Sequence, residues 1–181
     1  MSGAHGHIDP SNKKVALLIA VLALVLAFSE TLGKAAQTNA LGLNIEASNL
    51  WAFFQAKTIR QTTLRTAAEQ TAITASGDAA KKQIEAWRKT AERYQSEPET
   101  GEGRNELAAR AKEAESKRDR ALAAYHHYEL ASGAVQIAIV LASASIITGM
   151  MALTWIGAGL GLLGVIFCLI GFFVPTAVHL F

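Results

Sequence analysis

The residues in this chain whose types and spacing would suit chemistry each fall short of a working constellation. His126 and His127 are adjacent, and neighbours on a helix point about 100° apart, so they do not make the i,i+4 pair that grips a metal from one helical face. Flanked by Tyr125 and Tyr128, they read as amphipathic side chains at a membrane interface. His5 and His7, with Asp9 nearby, lie in a Gly-rich tail, a donor set that gives weak transition-metal affinity at most. Cys168 is the single cysteine; it forms no intrachain disulfide, and in an apolar tract a thiol behaves as a small hydrophobe. Gly159-x-Gly161-x-x-Gly164 matches the dinucleotide-binding spacing, but that motif needs a preceding strand and a soluble phosphate site, and here it sits in an apolar run. No acid-base or nucleophile-base pair can be named. The reading is therefore of a protein that is not an enzyme, with no cofactor, no catalytic residue and no metal site.

The elements that carry these residues explain why. The chain has 181 residues, with 17 Lys and Arg and 15 Asp and Glu. None of these charges lies beyond Glu129, so the tract Leu130 to Phe181 has no ionisable side chain other than Cys168 and His179. A tract well beyond the roughly 20 apolar residues that cross a bilayer excludes a water-soluble globule and predicts membrane insertion. The net charge of +2, evenly mixed, excludes a nucleic-acid partner in the absence of any aromatic-basic module.

Three spans follow. Val15 to Phe28 makes only about 21 Å of helix, so Lys13 and Lys14 must snorkel at one end and the span must continue to Leu32 at the other. A signal peptide competes for this segment, but the run ends in Phe28-Ser29-Glu30, not a small-x-small cleavage site. Ala134 to Val174 would make about 61 Å of helix, roughly twice a bilayer, so it crosses twice, with a break between Gly149 and Thr154 and a stop at Pro175. Both of these spans carry small residues in seams: Gly157, Gly161, Gly164, Cys168 and Gly171 on one, and Ala138, Ala142, Ser145 and Gly149 on the other. Such faces let backbones approach closely, within one hairpin or between subunits. Gln136, Ser143, Ser145 and Thr148 are the main polar groups there, suited to helix-to-helix hydrogen bonds. No Asp, Glu, Lys or Arg lies in these two spans, so the signature of a proton relay is missing.

Thr31 to Leu130 reads as helical, broken at Ser76-Gly77-Asp78 and again from Ser96 to Gly103, where Gly, Pro98 and polar residues cluster. Three apolar seams mark its helices: Leu43, Ala47, Leu50, Phe54, Gln61, Leu64 and Ala68; Ala80, Ile84, Trp87, Ala91 and Tyr94; and Leu107, Ala111, Ala114, Ala121, Tyr125 and Tyr128. Their 3-and-4 spacing predicts coiled-coil packing. Glu85 with Lys89, Glu106 with Arg110 and Glu113 with Lys117 are i,i+4 pairs on solvated faces. A stalk-like hairpin reversing at Gly77 fits the arm lengths, while Gly33 and Gly42 keep open a bend in the first arm and a compact three-helix bundle.

The expected fold is thus an all-α membrane protein with three transmembrane helices and a long, coiled-coil-like helical hairpin between the first and second. Its expected parts are a flexible tail over 1–12, spans at 13–32, 131–150 and 154–174, an extramembrane hairpin over 33–130 and a short tail over 175–181.

The stretch Asn44-Ile-Glu-Ala-Ser-Asn-Leu-Trp-Ala-Phe-Phe-Gln-Ala-Lys-Thr-Ile-Arg60 resembles the signature of an uncharacterised bacterial membrane-protein family, the domain of unknown function 4337. Members are similar throughout, with a His-containing tail, a basic flank before one span, a charged helical segment and a C-terminal pair of spans. The resemblance implies no activity, cofactor or catalytic residue. Within the stretch, Trp51, Phe53 and Phe54 crowd a helix too long to bury them alone, which points to a subunit contact; packing against the return arm of the same chain is the other reading.

The resulting expectation is a homo-oligomeric integral membrane scaffold, or an accessory subunit of a larger membrane complex, with lipid and its own copies as partners. A channel or transporter component lined by small and hydroxyl side chains, notably Gln136, Ser143 and Thr148, is the alternative. The expected location is the bacterial inner membrane. Lys13 and Lys14 beside the first span favour a cytoplasmic N-terminus and an extracytoplasmic hairpin, against the pull of the 15 other Lys and Arg, because long loops translocate largely regardless of charge.

Overall fold

Pro10 opens the first helix, at a position where its missing N–H costs nothing and its fixed φ suits the helix, and no further proline follows until Pro98. The computed structural model describes residues 10–178; His5, His7, Asp9 and His179 lie outside the described residues. Those described form four helices: α1 (Pro10–Thr74), α2 (Asp78–Gln95), α3 (Arg104–Thr148) and α4 (Met151–Phe173). There is no strand among them. Helix α1 is a single run of 65 residues, continuous through both Gly33 and Gly42, so neither glycine ends the helix.

The breaks have local causes. Gly77 sits at φ 117° and Gly149 at φ 70°, the left-handed region where a Cβ is strained and glycine is not. At Gly149 the N–H closes the end of α3 on the Ser145 carbonyl at 2.9 Å, which lets α4 begin at Met151, three residues before the expected Thr154. Asp78 lies in the first turn of α2 and Arg93 in its last, each matched to the helix dipole. Before α3, the Glu106 carboxylate accepts from the Ser96 hydroxyl at 2.6 Å and from the Glu97 N–H at 3.1 Å. That ties down the 96–103 connection, and it takes Glu106 away from the i,i+4 pairing with Arg110 that its spacing suggests.

The described chain divides into two compact units, one of residues up to Ala40 with those from Asp119 onward, the other Leu41–Arg118. In the first, α1, α3 and α4 bury Val15, Leu22, Ala131, Val135, Ala138 and Ala142, while Leu17, Leu24, Phe28, Val140, Ile147 and Phe172 face outward. Helices α1, α3 and α4 are each long and apolar enough to cross a bilayer. In the second unit Leu50, Leu107 and Ala111 form the core, with Trp51, Phe53 and Phe54 packed on it.

Helix α1 keeps one side inward with a seven-residue period. Val15, Leu22, Ser29, Leu50 and Lys57 lie on one buried track, and Gly33, Ala40, Ala47, Gln61 and Ala68 on the other. The positions that continue these tracks, such as Ala36, Leu43, Phe54 and Leu64, are half-buried. A repeat of seven keeps pace with a partner helix only at about 3.5 residues per turn.

Candidate functional site

In the first unit the glycines of α4 are where another helix's backbone comes close. A Cβ on Gly157 would stand 2.9 Å from the Ala138 carbonyl oxygen and 3.5 Å from the Ala142 nitrogen. One on Gly164 would stand 2.5 Å from Val135 Cγ2 and 3.1 Å from the Ala131 carbonyl oxygen. Gly171 faces His127 Cβ at 3.0 Å and the Ala124 carbonyl oxygen at 3.3 Å, whereas Gly161 meets the side chain of Leu22 on α1. Three of the four seam glycines thus meet α3 and the fourth meets α1. The sequence seams Gly157/Gly164 and Ala138/Ala142 face each other inside one chain; Ser145 adds a polar link, donating to the Ala142 carbonyl at 2.7 Å while accepting from Thr154 at 2.8 Å.

Several polar groups in this unit find partners within it, although the buried His127 Nδ1 has none. The Ser29 hydroxyl donates to the Val25 carbonyl at 2.9 Å and lies 3.3 Å from Cys168 Sγ; with its one proton spent, Ser29 accepts from the thiol. Gln136 donates to Glu30 at 3.2 Å and to Ser132 at 3.4 Å, and Thr148 donates to the Ala144 carbonyl at 2.9 Å. His127, read from sequence as interfacial, is instead fully buried. Its Nε2 lies 3.1 Å from the Pro175 carbonyl oxygen, so that nitrogen carries the proton, and its ring stacks on Phe167 with centroids 6.3 Å apart. An open apolar groove of about 430 Å³ runs past Val15, Leu18, Trp155 and Ala158 with Lys14 at its mouth.

The second unit holds a cation cluster. Lys57 is buried, its Nζ 3.8 Å from Glu97 and 3.7 Å from Glu102, and 5.3 Å and 5.0 Å from the ring centroids of Phe53 and Tyr94. Four residues on, Gln61 donates to the Ala91 carbonyl at 2.8 Å and to Gln95 at 3.2 Å, and accepts from Arg104 at 2.6 Å. Arg104 also donates to Gln95 at 3.0 Å, and its guanidinium lies over Phe54 at 4.9 Å. Aromatic rings shield both cations; the Lys57 head is paired with two carboxylates, the arrangement in which a buried cation is tolerated, while the half-buried Arg104 leaves its Nε without a partner. Gly103 completes the packing: a Cβ there would overlap Glu106 and the Glu97 backbone and stand 2.7 Å from Ser96 Cα.

Trp51, Phe53 and Phe54, read from sequence as a subunit contact or as packing against the return arm of the same chain, pack within this unit and stay half-buried. Trp51 Nε1 donates to Glu115 at 2.9 Å, and its ring meets Phe54 edge-on at 5.4 Å; Phe53 and Phe54 carry the two cations. Sequence reasoning placed Gln61 on the buried seam but gave no role to Lys57 or Arg104. The signal lay in the spacing: Lys57 falls seven residues after Leu50, on the buried track.

No group of three His, Cys, Asp or Glu side chains among the described residues is placed to hold a metal ion. What the arrangement offers chemically is helix association, by close backbone approach in one unit and by a buried, paired lysine and a half-buried arginine among aromatic rings in the other.

No curated protein and no solved structure matches the chain. A family model does, that of the domain of unknown function DUF4337, over residues 11–174, nearly the whole chain including both units. The chain therefore belongs to the DUF4337 family.

Proposed function

We infer that this protein is a multi-pass integral membrane protein that works by helix-helix assembly, as a homo-oligomeric scaffold or an accessory subunit of a larger membrane complex. The observation that carries the reading is the inverted polarity of the first unit. Its interior is mostly glycine, alanine and serine around Val15, Leu22, His127, Tyr128 and Val135, and its exterior is Leu, Ile, Val, Phe and Trp. Water would be excluded from such a surface, and lipid would not. The backbones that approach at Gly157 and Gly164 gain dispersion contact that large side chains would prevent.

Helices α1, α3 and α4 supply the three spans, with Lys13 and Lys14 at one headgroup level. The tract Leu41–Arg118, whose α2 and α3 portions are densely charged, stands in water and packs its helices as heptad-patterned partners. The doublet Lys13 and Lys14 favours a cytoplasmic N-terminus, which puts the Leu41–Arg118 unit outside the cytoplasm. Gln136 and Thr148, two of the groups that would line a pore, are bonded to Glu30, Ser132 and the Ala144 carbonyl of their own chain, which favours assembly over conduction.

An alkaline carbonate wash of membranes tests insertion: the protein is expected to stay in the pellet and to be released only by detergent, and release by carbonate overturns the reading. Impermeant thiol labelling of Gly101→Cys, in a Cys168→Ser background, tests sidedness. Labelling from the extracytoplasmic side is expected.

A further inference from the structure

The face of α1 opposite its buried tracks is as regular as the buried side. Between Gly42 and Ile73 it carries Ile45, Ala52, Ile59, Thr66 and Ile73 on one seven-residue track and Gly42, Asn49, Ala56, Thr63 and Gln70 on a second, three residues before it. All are uncharged, and all are exposed except Ala56, which is half-buried. Ile59 and Ile73 are 68% and 86% exposed. Outer positions elsewhere in the same unit are different: α2 presents Lys81, Lys82, Glu85 and Lys89, and α3 presents Arg110, Lys112, Glu113 and Lys117. A shallow groove of about 530 Å³ lies along this face, lined among others by Ile59, Thr63, Thr66 and Gln70.

We propose that this outer face of α1 is the contact between two copies of the chain, which pack α1 against α1 in parallel and in register, with Asn49 facing Asn49. The period selects the partner. A seven-residue repeat sustained over this length can be followed only by a helix with the same repeat, and α1 itself has it. Asn49 selects a like copy, because a carboxamide is both donor and acceptor and two of them satisfy each other across an axis; a single Asn at a core position of paired helices fixes register and orientation in this way. The flanking positions oppose no like charges, since Glu46 falls across from Leu41 and Arg60 from Gln55 in this register. Alanine, glycine and threonine along the stripe let the two backbones come close. The parallel sense rests on the membrane reading above, because copies anchored by the same span point the same way.

Disulfide mapping on the full-length protein in a Cys168→Ser background tests this, both in native membranes and after purification into phospholipid vesicles. Single substitutions Ile45→Cys, Asn49→Cys, Ala52→Cys and Ile59→Cys are compared with Arg65→Cys and Lys89→Cys, which lie off the stripe. Under mild oxidation the stripe positions are expected to give dimer about tenfold faster than the two controls, as held neighbours do over colliding ones. Ile59→Glu, exposed in the single chain, is expected to keep its helical circular dichroism while the mass in detergent falls to that of one chain. Equal cross-linking at stripe and control positions, or an unchanged mass for Ile59→Glu, overturns the proposal. Stripe dimers that form in native membranes and vanish in the vesicles make the occupant a different protein and also overturn it. A carbonate wash of the same samples separates the two readings: protein that stays in the pellet without stripe cross-links loses the contact alone, whereas protein released by carbonate loses the membrane reading and the parallel arrangement together.

Discussion

In the unit formed by α1 up to Ala40, the second part of α3 and α4, glycine and alanine make most of the close helix contacts, and Leu, Ile, Phe and Trp side chains make up most of the surface. In the Leu41–Arg118 unit Lys57 is buried and the rings around it and the Arg104 guanidinium are half-buried, while α2 and α3 turn most of their charges to solvent. Both units pack helices on the same alternation of three and four residues. What differs is the side chain that the alternation selects, and with it the source of cohesion: close backbone approach in one, burial of rings around paired charges in the other. One helical repeat therefore supports two kinds of packing, provided the residue sizes are reversed.

Substitutions that add bulk strike one unit hardest. Gly164→Leu is expected to cost about 3 kcal/mol or more, because its Cβ meets α3 backbone that has nowhere to move. Gly159→Ala, in the same helix but with nothing within 4 Å of its Cβ, is expected to be neutral or to stabilise by up to about 1 kcal/mol through helix propensity. Unfolding of the detergent-solubilised protein by denaturant compares the two, and equal effects would erase the contrast between inner and outer glycines.

In the other unit, loss of polarity is the sensitive change. Gln61→Leu leaves Arg104 and the Ala91 carbonyl without their partner and is expected to cost about 2 kcal/mol. Lys57→Met, which keeps the stem over Phe53 and Tyr94 and releases two partly exposed carboxylates to water, is expected to stay within about 1 kcal/mol of the parent. Hydrogen exchange in α2 and the first turns of α3 reads both, and a larger loss for Lys57→Met than for Gln61→Leu would reverse this assignment of roles. Trp51→Phe keeps the ring contact with Phe54 and removes the bond to Glu115, for an expected loss of about 1 kcal/mol.

The smallest effect is one of pH. The Ser96 hydroxyl, and after it the Glu97 N–H, hold the Glu106 carboxyl below its ordinary value of 4.5. A lowered folded-state value means stability that is present above the unfolded carboxylate range and lost as pH falls through the lower value. Protection of the first turn of α3 is therefore expected to decline below about pH 4.5, and Glu106→Gln is expected to flatten that part of the profile. No such step is expected in α4, which carries no acid.

The helices and their breaks were legible because glycine, proline and the three-four alternation act locally. The glycine seam was legible for the same reason, since small residues at helical spacing leave only one face for close approach. His127 was not. Its neighbours Tyr125, His126 and Tyr128 suggest an interface, and only the return of Pro175 from far along the chain shows that the ring is enclosed. Trp51 shows the same limit. Its aromatic company marked it as a contact residue, but spacing alone does not say that Glu115, 64 residues away, supplies the acceptor. Lys57 was hidden by its charge, although its position on the buried track was readable from Leu50.

The buried tracks of α1 also restrict how this family can change length. Adding one residue to the helix turns everything after it by about 100°. Ser29 would leave Cys168, or Gln61 would leave Arg104, depending on which side of the addition each lay. Adding seven residues restores every facing. Tolerated length variants in α1 are therefore expected to come in whole sevens, so that the helix behaves as a graduated rod on which one track fixes the place of every contact.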